Sequence, residues 1–169
     1  MEEVNKDYEA FLSALGLRES SGRYDVENPW GYLGKYQMGE AALIDAGYYL
    51  QDGTAKNDWK GKWTGKDGVW SKEDYLSSPW AQENAIRISM AKLWSYIQAL
   101  GLDAYVGKGI SGIQITPSGL LASAHLLGVG NLRSFLLGEP GRFQDALGTD
   151  IKEYLGRFTG YDIPFTLKT

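Results

Sequence analysis

The chain of 169 residues is acidic, with 21 Asp and Glu against 17 Lys and Arg, a formal net charge of −4 and a pI near 5.0. This balance disfavours nucleic acid as a partner, because phosphate backbones demand clustered cations. The absence of cysteine excludes disulfides, thiolate nucleophiles and cysteine-ligated zinc. The length and a hydrophobic content of 43% predict one globular domain over residues 1–169, monomeric by default.

The first residues are polar and acidic, and they lack the basic start and apolar core of a secretory signal. No apolar run approaches the roughly 20 residues that span a bilayer, so an integral membrane segment is not expected. We therefore expect a protein that is made in the cytoplasm without classical export.

Periodicity and end signals predict the elements of the first half of the chain. Apolar residues at helical spacing from Val4 to Leu15 predict a first helix, which ends where residues 20–22 (Ser-Ser-Gly) favour a C-terminal cap. Residues 24–39 are rich in Gly, Pro and Tyr and predict loops or a short sheet, and residues 40–46 predict a second helix. The glycine-rich residues that follow show neither a helical nor a strand period, which predicts a surface insertion over 48–76.

The second half of the chain carries clear helix start signals. Ser78 and Pro79 suit an N-cap and a first turn, and apolar residues keep a helical period up to Gly101. We expect this helix to be the longest and the most buried. Strands do not alternate with helices, so a mainly α fold is predicted over a parallel α/β sheet. Three further helices are expected, one starting at Thr116-Pro117, one over 132–137 and one starting at Thr149 or Asp150.

Glu19 continues the apolar face of the first helix, four residues past Leu15 and near the helix end. A carboxyl group in this position is paired, capping, or exposed to a cleft. Burial and the negative end of the helix dipole would both raise the pKa of Glu19. A carboxylic acid that stays protonated near neutral pH is what glycosidic-bond cleavage requires of its general acid.

Five segments resemble, in order, motifs of the lytic transglycosylases of the lysozyme-like superfamily. Residues 19–22 (Glu-Ser-Ser-Gly) and 34–38 (Gly-Lys-Tyr-Gln-Met) resemble the family's Glu-Ser and Gly-Leu-Met-Gln motifs, with a Gly-x-Tyr-Gln form similar to the lambda-phage endolysin type. Residues 78–86 resemble its Asp-Pro-x-x-Asn-Ile segment, which opens a long buried helix. Residues 122–130 are similar to its Ala-Ala-Tyr-Asn-Ala-Gly-Pro-Gly segment, and residues 150–155 to its Glu-Thr-x-x-Tyr-Val segment.

The resemblance covers about residues 8–158 and implies a mainly α, lysozyme-like (α+β) fold. Its helical lobe would surround a long buried helix, and a small irregular or short-strand excursion would line a cleft. The resemblance implies that Glu19 is the catalytic acid, that Ser20 orients it or the sugar, that Tyr36 and Gln37 bind substrate, and that Tyr154 sits beside Glu19. The alternatives are a core aromatic for Tyr154, and capping or bridging of turns for Ser20 and Gln37.

Two positions depart from the family's pattern. His125 replaces a tyrosine and Leu126 an asparagine, at positions that contact substrate in the relatives. His125 is the only histidine, so a multi-histidine metal site is impossible. It is a candidate for substrate binding, with a structural role as the alternative.

The resemblance implies cleavage of the β-1,4 bond between N-acetylmuramic acid and N-acetylglucosamine in peptidoglycan. In a lytic transglycosylase the single acid then acts as a base on the substrate's own 6-hydroxyl and yields a 1,6-anhydro sugar. A hydrolytic lysozyme would need a second carboxylate to activate water, for which Asp25, Glu27, Glu40 and Asp45 are candidates. The sequence is also compatible with a non-catalytic peptidoglycan- or chitin-binding module and with chitinase-like action.

The insertion at 48–76 combines three tryptophans with four lysines. Aromatic faces could stack on sugar rings and lysines could attract the carboxylates of the wall, which would make a substrate-binding flap. The alternative is a solvated loop anchored by its tryptophans. Its acidic residues do not have the spacing of an EF-hand loop, so we assign neither a metal nor a cofactor. The tryptophans are Trp59, Trp63 and Trp70, and the lysines are Lys56, Lys60, Lys62 and Lys66. The residues considered as calcium ligands are Asp52, Asn57, Asp58 and Asp67.

The expected partner is the glycan strand of the bacterial cell wall, which lies beyond the cytoplasm. A wall-cutting enzyme without a signal peptide needs another route of delivery to the periplasm. One is release through a holin, as for a phage endolysin, and the other is a secretion system that delivers an antibacterial effector. The second route predicts a dedicated inhibitor protein in the producer, and the acidic pI leans towards it.

Overall fold

The computed structural model describes residues 4–54 and 56–165, and over these residues the chain is mainly helical, as the sequence predicts. None of the described helices has the length and apolar character that crossing a bilayer requires. The α-helices are α1 (Tyr8–Ser20), α2 (Glu40–Asp45), α3 (Lys72–Leu76), α4 (Pro79–Ala99), α5 (Pro117–Leu127), α6 (Val129–Leu137) and α7 (Ile151–Arg157). Short 3-10 turns span Lys66–Gly68 and Leu102–Tyr105, and a hairpin pairs β1 (Gly109–Ile110) with β2 (Ile113–Gln114).

The predicted helix starts are confirmed in α4, α5 and α7. Ser78, Thr116 and Asp150 directly precede these helices. A side-chain oxygen of each accepts a backbone N–H from the following turn, at 3.2, 3.2 and 2.8 Å respectively. These bonds satisfy donors that have no partner inside the helix, which is why the three residues start helices.

Two expectations about the helices are wrong. The first helix begins at Tyr8 and leaves Val4 outside it and 74% exposed, because Asp7 accepts the N–H of Ala10 at 2.8 Å and so fixes the start. The longest helix is α4, as predicted, but α5 is more completely buried, because every residue from 118 to 124 is buried. The physical reason is that α5 packs against both α6 and α7.

The hairpin and α3 have no counterpart among the sequence predictions. Ser111 and Gly112 connect β1 to β2 with φ of 52° and 78°, and two central residues with positive φ are typical of a type I′ hairpin turn. The start of α3 is capped by Ser71, whose hydroxyl accepts the N–H of Asp74 at 3.0 Å. Both elements are too short to show a hydrophobic period.

The contacts of the described residues group them into two compact units, and the single domain expected from the sequence stays a prediction. Met1–Ala14 and Leu93–Thr169 contribute to the first unit. In it, Gly119 lets α5 approach α7 closely, because a Cβ there would lie 2.9 Å from the carbonyl oxygen of Leu155. The hydroxyl of Ser118 donates to the carbonyl of Phe158 at 2.6 Å.

The second unit is Leu15–Lys92. Residues 24–39 form short bridged segments rather than regular strands, with Leu33 paired to both Glu27 and Met38. The same is true of the insertion, where Tyr49 pairs with Trp63. The prediction of loops or short strands is therefore confirmed for residues 24–39 and for the first part of the insertion, whereas the insertion also contains the 3-10 turn Lys66–Gly68 and ends in α3.

Candidate active site

Glu19 is the penultimate residue of α1 and is half-buried. The helix ends directly after it, because Ser21 and Gly22 adopt left-handed conformations with φ of 58° and 78°. Their N–H groups donate back to Leu17 at 3.0 Å and to Gly16 at 3.1 Å, which closes the last turn. Glu19 therefore lies at the negative end of the helix, as the sequence predicts.

Residues 34–37, which we call the motif turn, connect the paired residues Leu33 and Met38. Gly34 begins the turn with a φ of 76°. Gln37 ends it with a φ of 50°, which is uncommon for a residue other than glycine. The side-chain amide of Gln37 donates to the carbonyl of Gly34 at 3.0 Å. Gln37 thus bridges its own turn, the role that the sequence left as an alternative to substrate binding.

Ser20 links the end of α1 to the motif turn. Its hydroxyl oxygen lies 2.7 Å from the carbonyl oxygen of Lys35 and 3.1 Å from that of Gly16. The same oxygen accepts the N–H of Arg23 at 3.1 Å. The segments at 19–22 and 34–38, which the sequence singled out separately, are therefore joined by a direct hydrogen bond.

Gln82, near the start of α4, holds the motif turn from the interior. Its side chain is fully buried, and its Oε1 accepts the N–H of Lys35 at 2.9 Å. Its amide nitrogen donates to the carbonyls of Tyr24 at 3.0 Å and Tyr75 at 2.9 Å. A Cβ at position 34 would overlap with this amide group, so glycine is required there for space as well as for its positive φ.

Glu83 binds side chains of the same turn. Its carboxylate accepts from Lys35 Nζ at 2.9 Å and from the hydroxyl of Tyr36 at 2.8 and 3.0 Å, and it pairs with Arg87 at 3.4 Å. Burial alone would raise the pKa of Glu83. Two effects outweigh burial and hold this pKa below its usual range, namely the hydrogen bonds from Lys35 and Tyr36 and the positive charges of Lys35 and Arg87. Glu83 is therefore ionised near neutral pH.

Gln82 and Glu83 were not predicted as functional residues from the sequence, although both lie in the segment at 78–86. A signal was present for Gln82, because it precedes Ile86 by four residues and so falls on the apolar face of its helix. A polar residue in that position is expected to satisfy buried hydrogen-bonding groups. No comparable signal marks Glu83.

The predicted substrate-binding residues have different surroundings. Tyr36 is 1% exposed with its hydroxyl on Glu83, so in this conformation it supports the motif turn from the buried side instead of offering a surface to a glycan. Tyr154, in the first unit, is buried in α7, and its ring packs on Phe158 at 5.0 Å. This is the packing of a core aromatic, and its placement beside Glu19 stays a prediction. His125 is half-buried in the last turn of α5.

Two of the four candidates for a second carboxylate lie at the surface in ion pairs. Asp25 is 68% exposed and lies 3.2 Å from Arg23, and Glu27 is 33% exposed and lies 3.0 Å from Lys72. Each of these carboxylates is therefore already engaged by a cation at the surface.

The other two candidates belong to α2. Glu40 is only 3% exposed, and its Oε2 accepts the N–H of Trp59 at 2.6 Å. Asp45 is the last residue of this helix and is half-buried. Burial of Glu40 limits its access to a water molecule that would attack a sugar.

The insertion at 48–76 is anchored by its aromatic residues, as one of the two sequence interpretations predicts. The rings of Trp59 and Trp63 stack with centroids 5.3 Å apart, and Tyr49 packs edge-on against both at 5.2 Å. The indole N–H of Trp59 donates to the carbonyl of Gly31 at 2.8 Å. Trp70, in contrast, is 68% exposed and is available for stacking on a ligand.

Comparison with protein-family models, with curated proteins and with solved structures finds no match for this chain.

Proposed function

We propose that this chain cleaves the glycan strands of peptidoglycan as a lytic transglycosylase, with Glu19 as the catalytic acid. The observation that carries the proposal is the junction at Lys35. Its carbonyl is bound by Ser20, its N–H by Gln82 and its side chain by Glu83. Three of the five segments that resemble the family motifs, at 19–22, 34–38 and 78–86, therefore meet at one residue of the motif turn.

This convergence supports the proposal because nothing in the chain order requires it. Lys35 is 15 residues from Ser20 and 47 from Gln82 along the sequence. A chance resemblance of short segments would have no reason to bring them together. The arrangement also fixes the turn relative to the end of α1, which is what a catalytic acid and its substrate-binding turn need for accurate positioning.

The chemistry that we propose uses one acid in two steps. Glu19 protonates the glycosidic oxygen and then, as a carboxylate, accepts the proton of the 6-hydroxyl of the muramyl residue as that oxygen attacks the anomeric carbon. The product is a 1,6-anhydro sugar, and no water is consumed. Hydrolysis needs a second carboxylate placed to activate water. Of the four candidates, Asp25 and Glu27 are engaged in surface ion pairs and Glu40 is buried, which leaves Asp45 for that role and supports the route with a single acid.

The test is mass spectrometry of the muropeptides that the protein releases from purified peptidoglycan. We expect anhydro-muramyl products, and a loss of rate of about 100-fold or more in Glu19→Gln, because general acid catalysis typically contributes that much. The matched control is Glu73→Gln, an exposed glutamate of α3, which should cleave like the wild type. Circular dichroism checks that both variants are folded.

Two results would contradict the proposal. Reducing-end products lost in Glu19→Gln would mean hydrolysis and would require a second carboxylate among Asp25, Glu27, Glu40, Asp45 and Glu83. No release from several wall types, with the protein folded and bound to the wall, would favour the binding module instead.

A further inference from the structure

Three carboxylates meet where the insertion packs against the start of α2. They belong to Glu40, the first residue of that helix, and to Asp52 and Asp58 of the insertion. One oxygen from each lies within 4.8 Å of the other two. Among the described residues no lysine or arginine forms an ion pair with any of the three. Three acids this close repel one another unless something positive lies between them.

The buried side chain of Glu40 carries a second, independent sign of a missing ligand. Glu40 is 97% buried, and its Oε1 accepts no hydrogen bond from a donor of the described residues. A buried carboxylate oxygen without a partner is rare in proteins, because the lost hydration has to be replaced. A hydrogen bond between the carboxyl groups of Glu40 and Asp52 would require Glu40 to keep its proton, since burial raises the pKa of Glu40 whereas the hydrogen bonds from Thr54 lower that of Asp52. A proton or a cation is therefore required.

Groups of the loop orient all three carboxylates. Asp52 Oδ1 accepts both the N–H and the hydroxyl of Thr54 at 3.1 Å, and Asp58 Oδ1 accepts the N–H of Lys60 at 3.2 Å. The N–H of Trp59 binds the other oxygen of Glu40. The hydroxyl of Tyr49 donates to the second oxygen of Asp52 at 3.3 Å. Hydrogen bonds to carboxylate oxygens are how proteins fix the orientation of metal ligands.

We infer that Glu40, Asp52 and Asp58 bind a calcium ion that ties the insertion to α2. The donor set is all oxygen, which suits a hard cation, whereas zinc prefers nitrogen and sulfur ligands. Calcium accepts six to eight oxygen ligands in irregular geometry, whereas magnesium demands a regular octahedron. Asp52 and Asp58 are half-buried, so water can complete the coordination. The inference does not depend on the proposed cleavage of glycans.

The first experiment measures binding to the whole chain after treatment with a chelator. Isothermal titration with calcium chloride should show saturable binding of one ion per chain, and magnesium chloride should bind at least about tenfold more weakly. Calcium should also raise the melting temperature above its value in the chelator. The emission of tryptophan should change on binding, because the backbone of Trp59 holds Glu40 and its ring stacks on Trp63.

Variants locate the site. Glu40→Gln and Asp58→Asn should each weaken calcium binding by more than about tenfold, since each removes a charged ligand. Asp58 is half-buried in a loop, so its variant keeps the test valid if Glu40→Gln does not fold. Glu73→Gln and Asp103→Asn are the matched controls, because both acids are exposed and lie outside the cluster.

Three results would overturn the inference. One is an absence of calcium binding together with equal melting temperatures in calcium and in the chelator. A proton shared between Glu40 and Asp52 would then explain how these carboxyl groups lie so close together. Another is calcium binding that Glu40→Gln and Asp58→Asn leave unchanged. Equal or tighter binding of magnesium would overturn the assignment to calcium.

Discussion

Replacing Gln82 by alanine should destabilise the protein severely, because one side chain satisfies three backbone groups. Its amide accepts the N–H of Lys35 and donates to the carbonyls of Tyr24 and Tyr75, at 2.9 to 3.0 Å. Leaving a buried polar group without its partner costs about 1–3 kcal/mol. Three such groups give a loss of at least about 3 kcal/mol in the free energy of unfolding.

The measurement is urea unfolding of the Gln82→Ala variant, with thermal unfolding as a second readout. For a chain of this length, about 3 kcal/mol corresponds to a fall in melting temperature of roughly 6–12 °C. The matched control is Gln98→Ala, which makes the same change on the exposed side of α4 and should cost less than about 0.5 kcal/mol. A difference between the two variants below about 1 kcal/mol would refute the reasoning, because it would mean that water replaces the amide without loss.

The remaining predictions concern Glu83 and Gly34. The folded-state pKa of Glu83 lies below its unfolded value, so its ionised form stabilises the protein above about pH 4.3, and this contribution is lost as the pH falls through the folded pKa. Urea unfolding should show Glu83→Gln less stable than the wild type at pH 7, and the difference should shrink as the pH falls below about 4.3. A gap that does not change with pH would contradict this, and Glu73→Gln is the control. Gly34→Ala should lower the free energy of unfolding more than Gly101→Ala. Both residues have a positive φ, of 76° and 72°, so the backbone strain of the two variants is similar. A Cβ at position 101 would meet open space, whereas a Cβ at position 34 would overlap with the side-chain amide of Gln82. Equal losses in the two variants would show that the overlap relaxes freely.

Helix starts could be predicted from the sequence because their causes are local. Ser78, Thr116 and Asp150 accept hydrogen bonds from N–H groups two or three residues further along the chain. Any chain segment with that pattern can form the bond, whatever lies around it. The same locality explains the end of α1, where Ser21 and Gly22 close the helix behind Glu19.

The support of the candidate site could not be predicted in the same way. Ser20, Gln37 and Tyr36 were singled out as groups that orient or bind a sugar, but the structure places Ser20 on the carbonyl of Lys35 and the hydroxyl of Tyr36 on Glu83. A motif indicates that a residue matters and does not say which partner it has. Gln37 donates to the carbonyl of Gly34 within the same turn. All three side chains therefore support the turn, and their contact with substrate stays a prediction.

The acidic cluster is the clearest case of information that is absent from local spacing. Asp52 and Asp58 do not fit a calcium-binding loop by their positions in the sequence, so no metal was assigned. The third carboxylate comes from Glu40, which the sequence placed on a separate helix as a possible catalytic base. Packing of the insertion on α2 creates the cluster and buries Glu40 at the same time.

By itself, the sequence determined the mainly helical class, the starts of the main helices and the position of Glu19 at a helix end. Each depends on periodicity or on hydrogen bonds between residues a few positions apart, which the chain carries wherever it folds. The tertiary structure alone decided which groups hold the motif turn and where three acids meet. Those contacts join residues up to 48 positions apart, as between Lys35 and Glu83, and their formation depends on how all the intervening elements pack.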